Sequence, residues 1–164
     1  MDVLNWLHRF LKSQYDDLKC VLTGEYTPYT QRLIEYAHKM GVPSDIIFTD
    51  NLNELELKTM YQNAYLYSYS SPEEDFGLGP LEAGANGVPS IVWDHAGLKE
   101  TVINGVTGFR VPLYDLRSFV DRHCALLNDP DLKNRMGKMA YDFVSRTFPW
   151  KKHVNIIKAE LQKI

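Results

Sequence analysis

Short apolar runs alternate with helix-period segments along most of this 164-residue chain, and that alternation restricts the fold more than any other feature. Lys19-Cys20-Val21-Leu22-Thr23-Gly24 reads as a buried strand ended by glycine, followed by a helix over about 29–40 that Gly41 and Pro43 stop. Ile46-Ile47-Phe48-Thr49 is a short strand, and Asn53 is placed to cap a helix running to Ala64. Strand patterns recur at 65–70, 90–93 and 108–111, with a short helix over 98–103; from Asp115 onward the pattern is helical only. Val3, Leu7, Phe10 and Leu11 share one helical face ahead of the first strand. Strands joined through helices require right-handed crossovers and a parallel sheet covered on both faces. The expected fold is therefore α/β, a doubly wound parallel sheet with a helical C-terminal tail. In such sheets a ligand sits beyond the carboxyl ends of the strands, where Gly24, Thr49, Ser71 and Asp94 should gather.

Several functional classes fall away on composition. A chain of this size buries roughly two thirds of its unfolded surface, enough for one domain spanning residues 1–164. With 18 basic against 21 acidic side chains and no dense Lys/Arg block, nucleic acid is not the expected partner. Cys20 and Cys124 stand in no paired motif, which fits a reducing compartment. The first residues lack the basic lead and apolar core of a secretory signal, and no window holds the ~18 apolar residues of a membrane span. A cytoplasmic location is expected, with peripheral contact at the membrane compatible with it. Walker A, G-x-G-x-x-G and G-x-S-x-G patterns are all absent, which disfavours nucleoside triphosphatases, dehydrogenases and serine hydrolases. Five scattered histidines with no ligand spacing give no metal site.

What remains is a pair of acids. Glu74 and Glu82 are separated by Asp75-Phe76-Gly77-Leu78-Gly79-Pro80-Leu81, directly after the 65–70 strand. The spacing puts one carboxylate in a loop beyond a strand and the other in the first turn of a helix. Small residues between them leave backbone N–H groups open, an arrangement suited to a nucleotide-linked sugar. Glu82 alone reads rather as a first-turn acid complementing the helix dipole, worth about 0.3–1 kcal/mol. Phe76-Gly77 alone reads as a tight strand-to-helix turn with a core phenylalanine.

Glu74-Asp75-Phe76-Gly77-Leu78-Gly79-Pro80-Leu81-Glu82-Ala83 is followed by Gly87-Val88-Pro89-Ser90-Ile91, Ala96-Gly97-Leu98-Lys99-Glu100-Thr101-Val102 and Asn104-Gly105-Val106-Thr107-Gly108. Together these resemble the C-terminal half of retaining GT-B glycosyltransferases of the family four (group 1) type. Asp129-Pro130 and Phe148-Pro149-Trp150 fall in the same order, so the resemblance covers essentially the whole chain. It implies a Rossmann-like donor-binding domain whose substrate is a nucleotide-diphosphate sugar, with no cofactor and no metal. Glu82 would accept hydrogen bonds from the ribose diol. Glu74, the residue assigned to the catalytic position, would contact hydroxyls of the donor sugar. The N–H groups of Phe76, Gly77 and Leu78 would approach sugar and diphosphate, with Gly24 and Thr49 on the same edge.

This sequence departs from the family in two places. Ala96-Gly97 stands where a Gly-Gly pair is common, after Trp93, Asp94 and His95, the last read as a surface or acceptor-cleft residue. The Gly-Arg segment and lysine that meet the diphosphate are expected ahead of Met1. The family's N-terminal domain, which would bind an acceptor sugar or lipid-linked glycan, is expected there too. The isolated chain is thus expected to be inactive, with residues 149–164 forming a helix that crosses toward that domain and supports self-association through Val154 and Ile157. Hexose transfer, mannosyltransferase-like, is the leading expectation. A non-catalytic nucleotide-sugar-binding or scaffolding module, and another GT-B enzyme such as a nucleotide-sugar epimerase or a phosphorylase, are the alternatives.

Overall fold

The computed structural model describes residues 15, 17–41 and 45–163. The helical face read at residues 3–11 lies outside them. Strand β1 (Cys20–Thr23) pairs in parallel with β2 (Ile46–Thr49), setting Cys20 opposite Ile46 and Thr23 opposite Thr49. Strands β3 (Tyr67–Tyr69), β4 (Ser90–Trp93) and β5 (Gly108–Val111) form a second parallel sheet in that spatial order. Tyr67 lies opposite Ser90, which in turn lies opposite Gly108.

The α/β class and parallel pairing match the expectation, but the strands form two sheets where one was expected. β1 spends its ladder on β2 and β3 spends its ladder on β4, so each keeps one edge unpaired among the described residues. β3 is also shorter than the 65–70 pattern.

Helices connect the strands as the periodicity predicts. α1 (Pro28–Lys39) starts from a Thr27/Thr30 capping box with proline at its first position. Asn53 accepts from the amides of Leu55 and Glu56 at the head of α2 (Glu54–Asn63), and Glu56 reaches back to the Asn53 amide. α3 (Leu78–Ala85) and the single-turn α4 (Leu98–Thr101) flank β4 in sequence. The tail is α5 (Leu116–Asn128), α6 (Pro130–Thr147) and α7 (Trp150–Leu161), with Asp115 and Asp129 capping the first two. No helix among the described residues is long and apolar enough to cross a membrane.

The core forms around β4, whose four residues are all buried. Trp93 packs on Phe119 of α5 with ring centroids 4.4 Å apart, and Ile91, Val92, Leu98 and Leu126 close around them. Each such side chain contributes about 1.5–3 kcal/mol of burial. His123 is buried with them: its Nδ1 lies 2.7 Å from the Phe119 carbonyl oxygen, which requires the proton on Nδ1, and Nε2 has no protein partner. Burial lowers its pKa to about 4 against the weaker opposing effect of the Phe119 carbonyl.

Candidate functional site

β3 delivers the chain to the carboxyl edge of the three-stranded sheet, and the loop from Ser71 to Gly77 returns it to α3. Glu74 folds back over that loop. Its Oε1 accepts from the amide of Gly77 at 2.9 Å and, more weakly, from that of Phe76 at 3.4 Å, while its Oε2 accepts from the Tyr69 hydroxyl at 2.5 Å. The Tyr69 hydroxyl and then the Gly77 amide hold the Glu74 carboxyl below its ordinary pKa. Two of the three amides expected to stand open are thus already engaged by the loop's own acid. Leu78 begins the helix beside them and is 64% exposed.

Gly77 caps α3 with φ of 90°, left-handed backbone that glycine alone adopts readily. The loop is pinned from one side by the segment after β4, where the Gly97 amide donates to the Glu74 carbonyl. A Cβ on Gly97 would lie 2.1 Å from the Asp75 carbonyl oxygen, so only a residue without a side chain fits. Its neighbour Ala96 has φ of 45°, left-handed at the position where the family commonly has glycine. Phe76 is 37% exposed rather than a core residue; its ring meets Phe148 edge-on at 6.0 Å, at the junction of α6 and α7.

Glu82 lies on the second turn of α3, because the helix begins at Leu78 directly after Gly77. The expectation of a first-turn position is corrected, and with it the reading of Glu82 as a first-turn acid complementing the helix dipole. Its carboxylate is exposed, and Oε2 accepts from the Tyr61 hydroxyl of α2 at 2.9 Å. Glu73 and Asp75 are exposed, as is His95; Asp94 forms an ion pair with Arg110 at 3.5 Å.

The structure brings Glu74, Phe76, Gly77, Leu78 and Glu82 together on one loop and helix. Gly24 follows β1 and Thr49 ends β2 in the other sheet, with no hydrogen bond to the glutamate loop among the described residues. The Thr49 hydroxyl donates instead to the Leu22 carbonyl at 3.4 Å. Two surface hollows, of about 590 and 250 Å³, lie along α7 and between α1 and β2, so the glutamate loop is an open sheet edge rather than either hollow. No group of three or more His, Cys, Asp or Glu able to hold a metal occurs among the described residues. Sequence reasoning missed Tyr61 and Tyr69. The alternation Tyr65-Leu66-Tyr67-Ser68-Tyr69 was the available signal, since it places Tyr67 and Tyr69 on one face of β3.

The family model for glycosyl transferases group 1 matches residues 2–143. A D-inositol 3-phosphate glycosyltransferase of Corynebacterium glutamicum is 36% identical over 124 residues, covering 76% of this chain and 29% of that protein. Among solved structures, the C-terminal domain of a group 1 family glycosyl transferase (LpcC) from Francisella tularensis superposes with a TM-score of 0.80 at 22% identity, over 90% of this chain and 78% of that one. HepE from Anabaena, in complex with UDP and glucose, superposes with a TM-score of 0.86 at 18% identity, over 97% of this chain and 44% of that one. The chain spans under a third of the length of the first curated relatives it matches. With its fold and its matched residues in agreement, this chain belongs to the group 1 glycosyl transferases and corresponds to their C-terminal domain.

Proposed function

We propose that this chain is the donor-binding half of a retaining glycosyltransferase that moves a hexose, mannose among the candidates, from a nucleoside diphosphate to an acceptor hydroxyl. The single observation that carries this reading is the Glu74–Glu82 segment, where two acids flank an amide-lined bend at the head of α3. Glu82 carries two oxygens that match the vicinal diol of a ribose, one of them already oriented by Tyr61. Glu74 is assigned to the hydroxyls of the transferred sugar. The Gly77 and Leu78 amides at the positive end of α3 are assigned to the diphosphate, with Phe76 N–H, Gly24 and Thr49 alongside.

During transfer the bond between the anomeric carbon and the diphosphate oxygen breaks, and the acceptor oxygen bonds to that carbon on the same face. The acceptor proton leaves with the departing diphosphate. Negative charge grows on the diphosphate, so donors fixed in advance lower the barrier. No metal is assigned to this step. The whole enzyme is proposed to be cytoplasmic and to take its acceptor sugar or lipid-linked glycan through an N-terminal domain. Residues 1–164 form one domain in this reading, with 149–164 crossing toward that partner domain; alone, the chain self-associates through the apolar side of α7.

Calorimetric titration of the chain with UDP, GDP and ADP, each with its hexose derivative, tests the proposal. One nucleotide should bind, and Glu82→Ala should weaken it at least 10-fold. Binding of none, or equal binding by Glu82→Ala, would overturn it.

A further inference from the structure

Both acids of the site are held by tyrosines, and a third tyrosine joins those two through ring contacts. Tyr61 donates to Glu82 at 2.9 Å, and Tyr69 donates to Glu74 at 2.5 Å. Between them stands Tyr67, its ring 5.7 Å from that of Tyr61 and stacked at 6.1 Å and 16° on that of Tyr69. A Cβ on Gly79, inside the seven-residue spacer, would lie 2.3 Å from the Tyr67 hydroxyl oxygen, so α3 has room for the ladder only because that residue is glycine. The ladder spans three elements: α2 supplies Tyr61, β3 supplies Tyr67 and Tyr69, and α3 with its preceding loop supplies the acids.

We infer that Tyr69 and Tyr61 are positioning residues for donor recognition, Tyr69 aiming Glu74 at the sugar and Tyr61 aiming Glu82 at the ribose. This deepens the donor-binding reading and rests on it. A carboxylate on a flexible three-torsion stem loses rotamer freedom when it grips a ligand, and a tyrosine hydroxyl that fixes it beforehand reduces that loss. The geometry also divides the labour. Glu74 is held at both oxygens, one on the Gly77 amide and one on Tyr69; when a sugar hydroxyl displaces the amide contact, the Tyr69 bond keeps the carboxylate in place. The inner ring, Tyr67, joins the two ends, and burial pushes its hydroxyl up to about 12.

The test uses Tyr69→Phe and Tyr61→Phe, which keep each ring and remove one hydroxyl. In the ligand-free chain, carbon-13 titration of the Glu74 carboxyl should move upward in Tyr69→Phe, toward the ordinary glutamate value, and stay put in Tyr61→Phe. A purely structural tyrosine would move neither. Calorimetry with UDP against UDP-glucose, and GDP against GDP-mannose, supplies the second readout. Tyr61→Phe should weaken nucleotide and nucleotide sugar by the same factor, about 5–10-fold. Tyr69→Phe should weaken only the nucleotide sugar, and Tyr69→Leu, which removes the ring as well, should do no less. An unshifted Glu74 titration, or equal weakening of both ligands by Tyr69→Phe, overturns the inference while the donor reading stands. If the unmodified chain binds none of the four, the donor reading falls, and the inference falls with it whatever the titration shows.

Discussion

A methyl group on residue 97 would sit 2.4 Å from the Phe76 Cα as well as 2.1 Å from the Asp75 oxygen, and neither is a side chain that could swing away. Gly97→Ala must therefore push the glutamate loop off the β4 edge, an overpacking cost of about 1–3 kcal/mol. For a chain of this length that corresponds to a melting temperature lower by roughly 2–4 °C per kcal/mol, readable by calorimetry, with donor affinity falling alongside. An unchanged melting temperature would mean that the two loops do not touch. His123 makes a different single-residue prediction. Its folded pKa, about 4, lies below the unfolded value near 6.5, so the unfolded chain binds the extra proton first. The stability gained by keeping it neutral is complete above pH 6.5 and is lost as pH falls from there toward 4, up to roughly 3 kcal/mol. His123→Leu should flatten that slope in melts between pH 4.5 and 7; an unaltered slope would assign the acid sensitivity elsewhere. Neither residue was legible beforehand. Gly97 showed only as part of a family pattern and His123 only as one of five scattered histidines, because what each touches, Asp75 or the Phe119 carbonyl, depends on how the chain packs.

Among the elements, α2 was the most legible. Asn53 followed three residues later by Glu56 is a capping signature written wholly in local sequence, and the structure forms both of its hydrogen bonds. Asn53→Ala should cost about 1 kcal/mol and, by fraying the head of the helix that carries Tyr61, should loosen Glu82; far-UV melting and the Tyr61 hydroxyl exchange rate would show it. A stability change below a few tenths would sink the claim. The start of α3 was less legible, since helix onset depended on Gly77 adopting left-handed backbone, which in turn depended on the Gly97 segment closing over the loop. α7 follows the expectation in part. Ile157 is 60% exposed and Val154 half-buried, while Trp150 at 81% and Leu161 at 64% extend the uncovered apolar surface. Such a surface favours association. The apparent mass of the chain in sedimentation should rise with concentration, and Trp150→Lys with Ile157→Lys should hold it at the monomer. A concentration-independent monomer in the unmodified chain would end that proposal.

Across the whole molecule, the division into two sheets implies a division of stability. Every member of the main core cluster falls between Ile91 and Met136, whereas among the described residues up to Ala64 only Ala37 and Asp45 are buried. The sequence gives β1 and β2 strand patterns as clear as that of β4, because periodicity reports which residues prefer extended backbone and not how deeply a neighbour will cover them. Strands with few buried contacts open locally at a free energy well below that of global unfolding. The amides of Val21, Leu22 and Phe48 should therefore exchange with solvent at least 30-fold faster than those of Ile91 and Val92, a gap of about 2 kcal/mol. The difference bears on the site, because Gly24 follows and Thr49 ends the loosely held strands, while Glu74 and Glu82 lie on the loop and helix that follow β3 of the firmly held sheet. A donor gripped by both sheets must link their openings: at 100 times its dissociation constant it should slow exchange in β1 and β2 by about 100-fold, the equivalent of roughly 2.7 kcal/mol. A donor gripped by the glutamate loop alone would protect the Gly77 and Leu78 amides and leave β1 and β2 as they were. Hydrogen exchange read residue by residue, with and without UDP-glucose or GDP-mannose, separates the two outcomes, and the second would remove Gly24 and Thr49 from the site.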